Sequence, residues 1–319
     1  GTVAFLVGVG WLEAGRFVVE QYMIEDFCHE PAQMSLLAER LADFDAFCTY
    51  NGKSFDIPLL RSRGIMNRLR PAMWNKPHAD LLHFSRRMWR GAWDDVALGT
   101  VEREVFGMRR ERDVPSALIP EIWTRFARSG ALGRLPDVLH HNAQDIASLA
   151  ALMARHVEMA REPRNHRLVA RATERLGLAR WYEQRRDHET ACALYELALE
   201  CLQGDEADRV ALHLARLYRR RGCWGEAEAL WRELMRRPLA VSLAATVDLA
   251  KHLEHRTRQF HQAIQLVHDL LRRVELEEEI RALTGRAAAE GLSESTREEL
   301  RWRLERLKRK AARHRDRAA

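Results

Sequence analysis

Tyr50-Asn51-Gly52-Lys53-Ser54-Phe55-Asp56-Ile57-Pro58 is the stretch on which the interpretation of this chain depends. The apolar residues of the segment 44–48 precede it, Asn51-Gly52 signals a turn, and helical spacing of apolar residues follows it. Asp56 is therefore expected where a strand gives way to a helix. A carboxylate at that position suits a metal ligand, but an aspartate that caps the helix fits equally well.

A second acidic motif is found in His140-His141-Asn142-Ala143-Gln144-Asp145, just ahead of the apolar face of a predicted helix. Asp145 follows His141 by four residues, about one helical turn, so the two side chains are expected to point the same way. Such a pair can hold a metal and take a proton from its bound water. A surface helix on which the two residues merely align is the alternative, and this motif alone favours it.

Strand and helix patterns alternate through residues 1–160. Residues 3–9 and 17–24 predict two strands with a turn at Glu13-Ala14-Gly15, and shorter strands are predicted at 45–50 and 78–82. Helical spacing predicts helices at 32–44, 58–68, 83–90, 97–106, 119–129 and 140–156. The fold class predicted for this part is therefore α/β, a mixed sheet flanked by helices.

Residues 166–319 contain helical patterns only and repeat with a period of 36 residues. The repeated positions are Leu178, Ala179, Tyr182, Ala191, Tyr195 and Ala198, followed by Leu214, Ala215, Tyr218, Ala227, Trp231 and Leu234. A looser third copy centres on Ala263. The pattern resembles the tetratricopeptide repeat, so an all-α repeat domain is predicted, with the boundary within residues 161–166.

Bulk composition fits a globular protein. Apolar residues make up 46% and charged residues 31%, and no apolar run is long enough to cross a membrane. The opening residues 1–10 lack a basic leader and predict a strand, not a signal peptide. None of the five cysteines forms a Cys-x-x-Cys pair, which argues against a zinc site or a disulfide framework and favours the cytoplasm.

Positive charge is concentrated at the C-terminal end. Residues 1–160 carry 19 basic and 20 acidic residues, whereas residues 301–319 alone carry nine basic and two acidic ones. A helix of that composition can attract nucleic acid phosphates, and a solvated helix end explains it as well.

Taken together, the two acidic motifs resemble those of the DEDD exonucleases of the RNase H-like fold. More narrowly, the chain resembles the YprB-like group of predicted bacterial exonucleases, which join that domain to tetratricopeptide-like repeats. Further matching segments are Phe5-Leu6-Val7-Gly8-Val9-Gly10, Asp80-Leu81-Leu82-His83, Leu98-Gly99-Thr100-Val101-Glu102 and Asp113-Val114-Pro115-Ser116-Ala117-Leu118-Ile119-Pro120. The resemblance is strong over residues 1–160 and looser over the repeats.

The resemblance implies metal-dependent 3′–5′ hydrolysis of single-stranded DNA or RNA by two divalent ions, Mg²⁺ or Mn²⁺, that four carboxylates hold. Asp56 matches the family's second-motif aspartate and Asp145 its final one. His141 is the favoured general base, with His140 as the alternative. The residues expected to contact the substrate are Asn51, Lys53, Ser54 and Phe55, and the repeats are expected to dock a protein partner.

The family's first motif, Asp-x-Glu, is expected on a strand that precedes Gly1. Without that strand the chain is expected to bind metal poorly, since two of the four carboxylates would come from upstream. This departure supports an alternative function, a non-catalytic adaptor that carries a degenerate RNase H-like domain.

Four further positions have two interpretations each. Asp80 is expected to cap the helix that follows its strand, although it could also border a metal site. Trp74, Trp89 and Trp93 could stack on bases, but aromatic residues at this density more often pack in a core.

Overall fold

The computed structural model describes residues 2–69, 75–110, 113–284 and 293–316. The chain divides into two compact units, Gly1–Leu178 and Ala179–Ala319. Trp74 lies outside the described residues.

The first unit opens with a β-hairpin. Strand β1 (Leu6–Glu13) pairs antiparallel with β2 (Arg16–Met23). Ala14 and Gly15 connect them, with φ angles of 47° and 78°. Two successive positive φ angles are the geometry of a tight two-residue hairpin turn, which matches the strand twist. The predicted turn lies at this position.

A second, shorter strand pair is parallel. Strand β3 (Phe47–Thr49) pairs with β4 (His78–Asp80), with Thr49 opposite Asp80. Within the described residues, the strands thus form two separate two-stranded sheets rather than one continuous mixed sheet. The carboxyl ends of the parallel strands meet at one edge, where loops are free to carry functional groups.

Among the described residues up to Arg161, six α-helices accompany these strands, close to the predicted ones. They are α1 (Glu30–Ala42), α2 (Asp56–Met66), α3 (Leu81–Trp89), α4 (Leu98–Phe106), α5 (Ile119–Ser129) and α6 (Leu135–Arg161). Short 3₁₀ turns precede α1 and α5. Helix α6 is longer than predicted at both ends because a proline at its first turn initiates it and Met159 remains buried near its end.

Helix α6 packs closely on β1, and two glycines allow this. A Cβ at Gly8 would lie 2.4 Å from Asn142 Oδ1, and one at Gly10 would lie 2.5 Å from Ile146 Cγ2. Gln21 of β2 fixes the same contact, since its side-chain amide donates to Asn142 Oδ1 at 3.0 Å. The hairpin therefore sets the position of the α6 turns that carry His141 and Asp145.

The second half of the chain is helical throughout its described residues. Its helices are α7 (Ala172–Gln184), α8 (His188–Leu199), α9 (Gly204–Arg221), α10 (Trp224–Leu234), α11 (Leu239–His252), α12 (Phe260–Thr284) and α13 (Glu294–Asp316). A π-helical turn, Leu253–Thr257, extends α11. The division between the two units falls within α7, whereas the predicted boundary at 161–166 coincides with the end of α6.

The 36-residue period is visible in the backbone. Arg186, Gly222 and Arg258 lie 36 residues apart, each has a positive φ angle of 55° to 80°, and each lies in the turn between two helices. Ten of the twelve repeated positions are buried, whereas Tyr182 and Tyr218 are half-buried. The buried ones are Leu178, Ala179, Ala191, Tyr195, Ala198, Leu214, Ala215, Ala227, Trp231 and Leu234. Paired helices that bury small residues at fixed intervals are typical of helical repeats. Their assignment to the tetratricopeptide class stays a prediction.

The basic terminal helix α13 is in part a structural element. Glu254, whose side chain is fully buried, forms ion pairs with Arg306 at 2.5 Å and Lys310 at 2.6 Å. Leu300 and Leu307 of α13 are also buried. Some of its positive charge is therefore used inside the helical unit. No helix among the described residues is both long and apolar enough to cross a membrane.

Replacing Gly10 with alanine tests the close contact between β1 and α6. The added methyl group overlaps Ile146, so we expect the free energy of unfolding to fall by about 1–3 kcal/mol in urea denaturation. Gly99→Ala is the control, because its nearest neighbour would be Arg110 Nε at an ordinary 3.9 Å. Equal effects of the two substitutions would contradict the close approach.

Candidate functional site

The carboxylate of Asp80 organises the loop at the ends of β3 and β4. Its Oδ1 accepts hydrogen bonds from the backbone N–H of Asn51 at 2.7 Å and of Leu82 at 3.2 Å. Its Oδ2 accepts one from Lys53 N–H at 3.1 Å. The predicted cap at the start of α3 is confirmed, and the same side chain also holds the loop that leads to Asp56.

The Asn-Gly pair in this loop is required by its backbone geometry. Asn51 has a φ angle of 65°, a left-handed conformation that asparagine tolerates better than most residues. A Cβ at Gly52 would lie 2.5 Å from Thr49 Oγ1, so only glycine fits there. Tyr50 anchors the loop from the other side, because its hydroxyl donates to the carbonyl of Val96 at 2.6 Å.

Asp56 is the first residue of α2 rather than its N-cap, and its carboxylate accepts a hydrogen bond from its own backbone N–H. The N-cap is Phe55, which makes no side-chain capping hydrogen bond. The Asp56 side chain is exposed, and the described residues provide no hydrogen bond to it from another side chain. Nevertheless, surrounding protein desolvates the carboxyl and raises its pKa, and the charge of Asp80 adds to this effect.

The residues predicted to contact substrate lie beside Asp56. Lys53 and Ser54 are exposed, and the side chain of Phe55 is 67% exposed. Asn51 is half-buried, and its hydrogen bonds with Asp80 and Ser54 use its backbone. The loop therefore presents a cation, a hydroxyl and an aromatic ring next to an accessible carboxylate.

The second motif lies on α6 and meets a largely buried arginine, Arg110. Arg110 donates from Nη2 to Asp145 Oδ1 at 2.5 Å and from Nε to Glu102 Oε2 at 2.6 Å. Its Nη1 lies 3.0 Å from His141 Nδ1. The guanidinium, only 13% exposed, thus links the two residues of the α6 motif to the glutamate of α4.

Charge and burial oppose one another in this cluster. Burial raises the pKa of Asp145, although the charges of Arg110 and His141 pull it back toward the ionised form. For Arg110, burial disfavours the charge, but the Glu102 hydrogen bond and the Asp145 charge outweigh it, so its pKa is raised. Glu102, 1% exposed in its side chain, depends on Arg110 for its charge balance.

His141 has a carboxylate near each ring nitrogen. Asp113 Oδ1 lies 2.9 Å from Nδ1, and Asp145 Oδ2 lies 3.4 Å from Nε2. Because Nδ1 also faces Arg110, it donates to Asp113 when it carries a proton and accepts from Arg110 when it does not. His140, by contrast, is exposed, and its described surroundings provide no carboxylate partner. Of the two histidines, His141 is the one beside Asp145.

The structure places the predicted site residues in two groups. Asp56 lies near His78 and Asp80, whereas Asp145 lies with His141 and Arg110. Among the described residues, no three His, Cys, Asp or Glu side chains converge as a metal-binding group. A site that uses both aspartates therefore needs ligands beyond these.

The sequence predicted no role for Arg110, Glu102 or Asp113. Glu102 carries a detectable signal, since it directly follows the buried Val101 in a short amphipathic helix. Arg110 belongs to a run of basic residues that resembles a solvated loop. Its importance comes only from the tertiary contact with α6.

Trp89, the last residue of α3, and Trp93, just beyond it, are packing residues. Trp89 is fully buried and donates from Nε1 to Glu174 at 2.8 Å. Trp93 stacks on it with ring centroids 5.5 Å apart, and Arg171 covers the ring of Trp93. These contacts confirm the core interpretation for Trp89.

Comparison with known proteins defines the class. Residues 1–157 match the family model of the RNase H superfamily. Over 320 aligned residues the chain is 32% identical to YprB of Bacillus subtilis strain 168, a protein described as uncharacterized. The alignment covers 97% of this chain and 71% of that relative. No solved structure matches the chain.

The chain therefore belongs to the family of YprB-like proteins, with an N-terminal domain of the RNase H superfamily. The predicted fold class, an RNase H-like domain followed by a helical part, is confirmed. Membership of this superfamily indicates nuclease-type chemistry on nucleic acid, and the superfamily generally uses divalent metals.

Asp80→Asn tests whether this carboxylate holds the loop. An amide has one acceptor oxygen in place of two, so at least one of the three backbone donors loses its acceptor. We expect a loss of about 1–3 kcal/mol in unfolding free energy and faster hydrogen exchange at the Asn51 and Lys53 amides. Asp45→Asn, at an exposed carboxylate, is the control and should change neither quantity.

Arg110→Met tests the buried ion pair. It leaves Glu102 buried without its partner, so we expect the protein to lose about 3–5 kcal/mol of stability in urea unfolding. Arg134→Met removes the exposed pair with Asp137 (3.1 Å) and should cost less than about 1 kcal/mol. The double variant Arg110→Met/Glu102→Leu should regain much of the loss. The account is wrong if Arg110→Met costs no more than Arg134→Met.

Proposed function

We propose that this protein is a metal-dependent 3′–5′ exonuclease of the DEDD type that hydrolyses the phosphodiester bonds of single-stranded nucleic acid. The observation that carries the proposal is Asp56. It is an accessible carboxylate whose hydrogen bond comes from its own backbone N–H, just beyond the loop at the ends of two parallel strands, in a chain with an RNase H superfamily domain. The helical repeats serve as a docking surface for a partner.

The donor chemistry of the two aspartates fits Mg²⁺ or Mn²⁺, which prefer carboxylate oxygens. Asp56 is accessible, and desolvation by its surroundings raises its pKa. A bound cation would favour the ionised carboxylate. Asp145 Oδ1 accepts a hydrogen bond from Arg110, whereas Oδ2 makes a long contact of 3.4 Å with His141 Nε2, so Oδ2 is the oxygen that a metal would bind more readily. These two residues would hold the metal together with carboxylates from the upstream motif. When bound, divalent ions supply an activated water and charge stabilisation at the leaving oxygen.

His141 is the proposed general base. With a proton on Nδ1, donated to Asp113, its Nε2 carries no proton and can accept one from the attacking water, once Arg110 Nη1, 3.4 Å from Nε2, gives way. Asp113 then fixes the tautomer and stabilises the imidazolium that forms. His140 stays the weaker alternative, because it is exposed and points to no carboxylate among the described residues.

The loop beside Asp56 would bind the substrate strand. Lys53 can pair with a backbone phosphate and Ser54 can donate to one. The exposed ring of Phe55 can stack on a base, a contact that tolerates any sequence. The Asn51 side chain can reach a sugar or base edge.

One observation favours a second function, a non-catalytic adaptor. Arg110 already neutralises Asp145 at 2.5 Å, which is the arrangement of a structural ion pair. If that pair is permanent, the RNase H-like domain is a scaffold and the helical repeats provide the function.

The full-length gene product, incubated with labelled single-stranded DNA or RNA and Mn²⁺, distinguishes the two functions. We expect stepwise shortening from the 3′ end that EDTA abolishes. Asp56→Asn and Asp145→Asn should each lower the rate roughly a thousandfold, equivalent to several kcal/mol of lost transition-state stabilisation. Asp45→Asn should retain full activity. Shortening that persists in Asp145→Asn, or the absence of any metal-dependent degradation, would exclude the exonuclease and leave the adaptor.

A further inference from the structure

The helical unit contains a large charged cleft. Its volume is about 870 Å³, and residues of α7, α8 and α9 line it. The lining includes four arginines and two glutamates: Arg180, Arg186, Arg209, Arg220, Glu183 and Glu206. This cleft lies outside the RNase H-like domain and has no part in the chemistry proposed above.

Glu183 lines this cleft, and neighbouring hydrogen-bond donors compensate its negative charge. It accepts hydrogen bonds from His213 Nε2 at 2.7 Å and from the hydroxyl of Tyr195 at 3.1 Å. Arg220 Nη1 lies 3.4 Å away. Burial acts to raise the pKa of Glu183, but these donors outweigh it and the pKa is lowered, so the carboxylate stays ionised and paired. Its negative charge is therefore already compensated.

Three arginines around the cleft lack such compensation. Arg180, Arg186 and Arg209 are exposed, and within the described parts of the chain no carboxylate lies within ion-pair distance of any of them. Glu206 is the single lining acid besides Glu183. The cleft thus has a surplus of guanidinium groups directed at solvent, which favours an anionic ligand.

The geometry points to a binding site for the phosphate backbone of single-stranded nucleic acid in this cleft, and we propose that function. A guanidinium matches a phosphate with two parallel hydrogen bonds. Several arginines around one cleft suit a ligand with one negative charge per nucleotide rather than a lone anion. The cleft would bind the strand while the RNase H-like domain acts on it. The partner of the repeats would then be the nucleic acid itself.

This inference rests on the proposed function for its choice of a nucleic acid over an acidic peptide. Its test is binding in EDTA, without metal, which no catalytic failure can mask. Anisotropy of a labelled oligothymidine, titrated with the full chain at several salt concentrations, gives both the affinity and its salt dependence.

The variant Arg180→Gln/Arg186→Gln/Arg209→Gln removes the uncompensated charges. We expect affinity to fall roughly ten- to hundredfold and the slope of log affinity against log salt to decrease by about 2. The matched control is Arg309→Gln/Arg313→Gln/Arg315→Gln on α13, which removes the same charge from exposed positions. It should change affinity less than about threefold.

Equal losses in the two triple variants would overturn the proposal, since net charge alone would then explain binding. Displacement of the oligonucleotide by polyglutamate at matched charge would also overturn it, in favour of an acidic peptide.

Crosslinking of wild-type protein to a 4-thiothymidine oligomer keeps the test valid if the triple variant misfolds. Crosslinked peptides from the segment 180–220 support the site, and crosslinks confined to the first 160 residues contradict it.

Discussion

The close approach of α6 to the β1–β2 hairpin is the constraint on which the candidate site depends. Because Gly8 and Gly10 carry no side chains, Asn142 and Ile146 approach β1 more closely than a Cβ atom at either glycine position would allow. Because backbone hydrogen bonds link the successive turns of α6, this contact positions the neighbouring turns and therefore the His141–Asp145 face. A shift of α6 by the width of one methyl group would be felt throughout the Arg110 cluster, since buried ion pairs tolerate little displacement.

Three carboxylates of the first unit are in different states, and this difference organises the proposed mechanism. Asp80 is buried, and its carboxylate accepts three backbone hydrogen bonds that hold the loop, so its role is structural. Asp145 is paired with Arg110, and Asp56 is accessible without a cationic partner. An active site of the proposed kind needs Asp56 and Asp145 to share ions, and in the structure each has its own surroundings. Release of Asp145 from Arg110 is thus the step that separates an enzyme from a scaffold.

Local sequence signals predicted most of the elements, because turns and helix starts are encoded in adjacent residues. The hairpin turn at Ala14-Gly15 and the 36-residue repeat followed from such signals and are present in the backbone. The cluster around Arg110 could not be predicted, since its members are distant in sequence and meet only through packing. The division of the predicted mixed sheet into two strand pairs was missed for the same reason: strand pairing is a long-range property.

The central claim is that Asp56 and Asp145 belong to one metal site, and Mn²⁺ binding tests it without catalysis. Calorimetric titration of the full-length gene product, its Asp56→Asn and Asp145→Asn variants and the double variant forms a double-mutant cycle. The account predicts that either substitution abolishes the same binding event, so that the double variant is no worse than each single one. Independent, additive losses, or Mn²⁺ binding that neither substitution changes, would contradict it.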